Sequence, residues 1–281
     1  MFGIAILRLR AEKDAVLPRV HGRLMHGAFF SLLREVDSGL SGAIHANSGL
    51  KPFTVSELSI CEDIEKGKAR SAGGRVRGRD AVRHVKAGSV LERRVTALTE
   101  PMVQAVKSFP HGVRFQAGEL PLCIEEIIMD GRRKKGTGVI EPEKLLPAND
   151  CSTLRQITFH FRSPVSFRRD KDDFPVPTPG LIFASLSDKW QGAGLSPLAG
   201  KSVIQEDAAG LLPTQWQGRT VRHFLSADRG VLAFLGSFTY ELAQLQGGAR
   251  QSFVALARFA PYSGVGRLCA QGLGQTEVEI E

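Results

Sequence analysis

A strand-like run leading into an amphipathic helix occurs twice in this chain, and few architectures accommodate it. Phe2 to Arg10 sets apolar Ile4, Ile6, Leu7 and Leu9 among basic Arg8 and Arg10, the alternation of a strand with one solvated face. In "RVHGRLMHGAFFSLLREV", residues 19–36, Val20, Leu24, Ala28, Phe29, Leu32, Leu33 and Val36 recur at steps of three and four, which predicts a helix. A shorter helix is expected from Ser38 or Gly39 to about His45, broken by "SGLKP" before a strand over Phe53 to Ile60. Further on, Val90 to Leu98 reads as a strand, Glu100 to Ser108 as a short helix, and Val113 to Met129 as a strand pair or one bent strand.

The pattern restarts after "EPEKLLPAND", residues 141–150. A strand is expected over Leu154 to Phe161, a helix over Pro179 to Trp190, strands over Arg219 to Leu225 and Gly230 to Tyr240, a helix over Gln251 to Phe259 and a last strand over Gln275 to Ile280. Both halves therefore run strand, helix, strands, helix, strand. This predicts an α+β chain of two tandem ferredoxin-like (βαββαβ) domains side by side, residues 1–140 and 150–281, a count that suits 281 residues.

With 37 Lys plus Arg against 29 Asp plus Glu, the net charge is +8, which favours a polyanion such as nucleic acid as partner. The four cysteines lie far apart with no C-x-x-C pair, so neither a zinc site nor a disulfide framework is expected. No segment reaches the roughly 18 apolar residues of a membrane span, and the reading is a soluble, cytoplasmic protein with no membrane partner. Residues 62–86, rich in Lys, Arg and Gly, read as a basic hairpin or loop.

Two stretches invite chemistry. In "SGAIHANSGLKPFTVSEL", residues 41–58, His45 stands at a helix end with Lys51 six residues on; it is either a surface histidine or a proton carrier that titrates near neutrality. In "APYSGVGRLCAQGLGQTEVEIE", residues 260–281, Gly264, Gly266, Gly272 and Gly274 surround Arg267. Such a loop either passes close to an RNA backbone or makes a tight packed connection. It fits neither the dinucleotide fingerprint nor a phosphate loop, and no G-x-S-x-G elbow occurs.

Taken together, "LMHGAFFSLL", "LSGAIHANSGLKPFTVSEL", "ITFHFRSPVSFRRD" with "FPVPTPGLIFASLSDKW", and "YSGVGRLCAQGLGQTEV" resemble the CRISPR repeat-processing endoribonucleases of the repeat-associated mysterious protein (RAMP) superfamily. The resemblance implies an enzyme without cofactor or metal that cuts CRISPR repeat RNA once per repeat, leaving a 5′-hydroxyl and a 2′,3′-cyclic phosphate. It implies His45 and Lys51 as catalytic residues, and the loop Gly264, Gly266, Arg267, Gly272, Gly274 as an RNA contact. Where some members carry a helix tyrosine, this chain has Phe30, which cannot transfer a proton; His26, one turn earlier on the same face, is either the substitute acid or a helix histidine that only contacts the core or RNA. Arg19 and Arg23, and Arg168 and Arg169, are further expected RNA contacts, and the quartet Arg132, Arg133, Lys134 and Lys135 either tracks phosphates or forms a solvated loop. The competing reading is a non-catalytic subunit of the same fold that holds guide RNA among other CRISPR effector subunits.

Overall fold

A computed structural model describes residues 1–18, 20–47, 49–61, 82–147, 151–195, 198, 200–225 and 229–281. Arg19 and the centre of the expected basic loop, 62–81, lie outside the described residues. The chain divides into two compact units. Met1–Val139 joins Phe224–Gly230 and Ala270–Gly272 in the first, and Ile140–His223 joins Val231–Cys269 and Leu273–Glu281 in the second.

The first unit holds β1 (Phe2–Ala11), β2 (Ala15–Pro18), α1 (Gly22–Val36), α2 (Ser38–Ala46), β3 (Phe53–Val55), β4 (Ser59–Ile60), β5 (Val82–Val85), β6 (Val90–Ala97), α3 (Glu100–Lys107), β7 (Arg114–Ala117) and β8 (Leu120–Ile128). Its main sheet runs β3-β6-β1-β8-β7, with β1 antiparallel to both neighbours. The alternation of β1 sends Leu7 and Leu9 into the core. On the same strand, Arg8 pairs with Glu92 and Glu126, and Arg10 with Glu125. Helix α1 buries Met25, Ala28, Phe29, Leu32 and Leu33, the stripe its period prescribes. Each large side chain so buried contributes about 1.5–3 kcal/mol.

The expected strand over 53–60 is two strands. Both β3 and β4 pair with β6, but between them the Leu58 N–H leaves the ladder and donates to His21 Nε2 at 2.7 Å. The Glu57 carboxylate accepts the His21 N–H at 2.9 Å. His21 Nδ1, whose partner is the Pro18 carbonyl at 3.0 Å, carries the ring proton, so this 3 % exposed histidine is a neutral pin that seats the start of α1.

After β9 (Gly138–Ile140) the second unit repeats the plan with β10 (Gln156–Val165), β11 (Phe167–Arg169), β12 (Asp172–Phe174), α4 (Pro179–Gly192), α5 (Lys201–Ala209), β13 (Pro213–Phe224), β14 (Gly230–Glu241), α6 (Gly247–Ser263) and β15 (Thr276–Ile280). Its sheet runs β13-β14-β10-β15. Dropping the accessory strands, each sheet has the order second, third, first, fourth, and each ferredoxin-like βαββαβ order expected from the sequence is present. Phe159 of β10, Phe183 of α4 and Phe253 of α6 form the aromatic centre, at 5.7 and 4.4 Å between successive rings. Arg250, buried in the first turn of α6, donates to the carbonyls of Leu245, Ser152 and Leu242 at 2.7, 2.9 and 2.8 Å, tying the stretch before the helix to the segment at Ser152 with one guanidinium.

Among the described residues, no helix is long and apolar enough to cross a membrane.

Candidate active site

A single residue, Asp37, joins α1 to α2. Its N–H closes the first helix on Leu33 O at 2.8 Å, and its carboxylate accepts the Leu40 N–H at 2.8 Å to open the second. A one-residue joint leaves the helices little freedom to pivot. It sets the His45 ring edge-on to Phe30 of α1, with centroids 6.0 Å apart.

Phe30 also meets His26, at 5.0 Å and again edge-on. Phe53 of β3 completes the cluster, 5.5 Å from Phe30 and stacked on His26 at 5.7 Å. The position without a transferable proton thus acts as an apolar wedge between two groups that have one. Beside it, the Lys51 ammonium donates to Ile44 O at 2.7 Å and to Asn47 O, capping the carbonyl end of α2 that carries His45. Two of its three N–H bonds are used there, which leaves one for another acceptor.

The imidazole of His26 is half-buried. Its Nδ1 stands 2.7 Å from the carbonyl of Ala270, one of the three residues that the late segment Ala270–Gly272 contributes to this unit. A carbonyl only accepts, so the proton sits on Nδ1 and the neutral ring presents the Nε2 lone pair. Burial holds its pKa below the ordinary histidine value; Arg93, Lys51 and Arg23 act in the same sense, and the Ala270 bond partly opposes them.

Arg93 belongs to this cluster and was hidden in the count of basic residues. It is 0 % exposed on β6, donates to Met25 O at 2.6 Å and lies 5.5 Å over the Phe29 ring. Desolvation pulls its pKa down to about 9. Among the described residues its Nε and Nη1 have no hydrogen-bond partner. The signal was available: Leu91, Arg93 and Val95 share one phase of the strand alternation, and that phase points into the core.

The remaining candidates are dispersed. Arg23 is exposed on the first turn of α1, and Arg132 is exposed. Arg133 is paired with Glu126, and Lys134 with Glu92 at 2.8 Å, so half of that basic quartet is already neutralised by this unit's own carboxylates. In the second unit Arg168 and Arg169 are exposed on β11, with Arg169 5.6 Å over the Phe174 ring, while Arg267 forms an ion pair with Asp173. Gly264, Gly266, Gly272 and Gly274 all have positive φ and are all buried. At Gly274 (φ 69°) a Cβ would lie 2.1 Å from Val265 O, so tight packing alone accounts for the glycine there. Among the described residues, no cluster of three or more His, Cys, Asp or Glu side chains is arranged to hold a metal ion.

Two family descriptions match the sequence: "CRISPR Cas6 N-terminal domain" over residues 4–107, and "CRISPR-associated endoribonuclease Cas6" over residues 159–276. No curated protein matches it. Among solved structures, the product complex of a Thermus thermophilus Cas6 is similar at 24% identity and a TM-score of 0.76, covering 99% of both chains. A second Cas6 in its product complex is similar at 24% identity and 0.71, covering 99% of this chain and 100% of that one. A Cas6-related protein from Pyrococcus furiosus gives 12% and 0.56, with 99% of both chains covered.

Proposed function

Because the chain belongs to the Cas6 family of CRISPR-associated endoribonucleases, we propose that it matures guide RNA by cutting CRISPR repeats in precursor transcripts, without a metal ion, through His26, His45 and Lys51. The observation that carries this reading is the convergence of two imidazoles on the Phe30 ring, at 5.0 and 6.0 Å, with a capping ammonium at the end of the helix that bears one of them.

RNA carries its own nucleophile. In the proposed step the ribose 2′-oxygen bonds to phosphorus, the bond from phosphorus to the 5′-oxygen breaks, one proton leaves the 2′-hydroxyl and one arrives on the 5′-oxygen. His26 is suited to take the first proton, because burial and neighbouring cations favour its neutral form and the Ala270 bond leaves Nε2 as the acceptor. His45, exposed at the end of α2, delivers the second. The remaining N–H of Lys51 meets the charge that builds on the non-bridging oxygens. The products are a 5′-hydroxyl and a 2′,3′-cyclic phosphate. The exposed arginines, Arg23, Arg132, Arg168 and Arg169 among them, serve the backbone of the repeat.

The test is cleavage of repeat RNA in excess EDTA. The wild-type protein is expected to cut, a 2′-deoxy substitution at the cut to abolish the reaction, and His45→Ala and His26→Ala each to slow it by about 10²–10⁴-fold while RNA is still retarded on a gel. Lys51→Ala should slow cutting more than it weakens binding. Wild-type protein that binds the repeat and leaves it whole would replace this reading with the non-catalytic one.

A further inference from the structure

Strand β13 differs from every other strand of the second unit. Residues 213–220 are exposed without interruption, and its central aromatic, Trp216, is 63 % exposed. An indole left so open on an edge strand is an expensive feature unless something covers it. It is also held rigidly. Trp216 stacks on Phe238 of β14, with centroids 6.2 Å apart and planes inclined by 17°, and Phe238 stacks on Tyr240 at 5.9 Å and 13°. Tyr240 is buried, and its hydroxyl donates to the Pro177 carbonyl. The backbone beside the indole is equally fixed. At Gly236 a Cβ would lie 2.0 Å from Gln217 O, so the two strands approach there as closely as glycine alone permits.

We infer that Trp216 is a base-stacking platform for a single-stranded stretch of RNA, one ring face resting on Phe238 and the other open to a nucleobase. Three features favour RNA over another protein chain as the occupant. Between Pro213 and Phe224 there is no carboxylate, whereas Arg219 and Arg222 are exposed three and six residues beyond the indole, about 10 and 20 Å along an extended strand. Gln215 and Gln217, which flank the indole, are exposed amides able both to donate to and to accept from base edges. A preorganised three-ring column loses little freedom when a fourth ring joins it. The inference deepens the proposed activity and rests on it for the identity of the nucleic acid.

The experiment uses the full chain and its own fluorescence. The second tryptophan, Trp190, is 4 % exposed and serves as the internal control. Titration with a 12-nucleotide oligoadenylate, chosen because every base offers a stacking face, should quench Trp216 and leave the Trp190 emission of a Trp216→Phe variant unchanged. Trp216→Ala should weaken binding roughly tenfold, the order that one stacked base supplies, and Trp216→Phe by less than about threefold. Equal affinity of the Ala variant, or the absence of quenching, overturns the inference. So does a Trp216→Ala change that turns a dimer into a monomer in sedimentation with RNA affinity intact, which would assign the indole to a second copy of the chain. Repeat cleavage is measured alongside: wild-type cutting with no effect of Trp216 sinks the platform alone, whereas a protein that neither binds nor cuts RNA sinks the platform and the proposed activity together.

Discussion

Among single residues, His26 makes the sharpest prediction, because its perturbation has a sign. Its folded-state pKa lies below the value in the unfolded chain. Between those two values the unfolded chain binds more protons, so stability is complete above about pH 6.5 and is lost as pH falls toward the folded value. Melting temperature measured from pH 7 to pH 5 should therefore decline more steeply for the wild type than for His26→Gln, and parallel curves would contradict the assignment. The candidates His26, His45 and Lys51 were nameable in the sequence, the last two through the family resemblance and the first through its place one turn before Phe30. What holds His26 in place was not. The Ala270 carbonyl, 244 residues away, is a backbone atom that no residue type announces. Arg93 was hidden differently, since only the phase of its strand separates this fully buried arginine from the half-buried Arg94 beside it.

Among the elements, α1 depends on its first residue. A Cβ at Gly22 would stand 2.0 Å from Gln271 O and 2.8 Å from its carbon, both backbone atoms. Gly22→Ala should therefore destabilise the protein by about 1–3 kcal/mol, as overpacking does, and should slow cleavage as well, because Ala270 is the neighbouring residue. Gly27→Ala is the control: the same helix offers nothing within 4 Å of that Cβ, so stability should hold or rise by up to about 1 kcal/mol. Denaturant midpoints of the two variants decide the matter. Periodicity made most helices and core strands readable, since apolar spacing and burial are one physical fact. It fell short in several places. The short strands β2, β5 and β9, the hairpin β11–β12 and helix α5 went unread; β13 begins at Pro213 rather than near Arg219, because residues 213–220, exposed on both faces, leave no alternation to read. The break between β3 and β4 depends on where the Leu58 N–H goes, which spacing does not encode.

For the whole molecule, the charge of +8 is the dominant long-range property. RNA affinity should fall linearly on logarithmic axes with salt, by a slope of about 0.7 for each single-stranded phosphate neutralised. Arg132→Ala should reduce that slope by about one such increment. Arg133→Ala should change it less, since Glu126 already occupies that guanidinium. Filter binding at four or five salt concentrations measures both, and equal slopes for the two variants would refute the distinction. The order in which the chain is made adds a consequence of its own. Residues 1–139 leave the ribosome long before Ala270, yet the first unit includes Ala270–Gly272, and the imidazole of His26 is oriented by that late carbonyl. A nascent chain carries both histidines through more than 200 further residues without the group that aims one of them, so in the proposed mechanism cleavage waits until Ala270 has been made and has folded back onto α1.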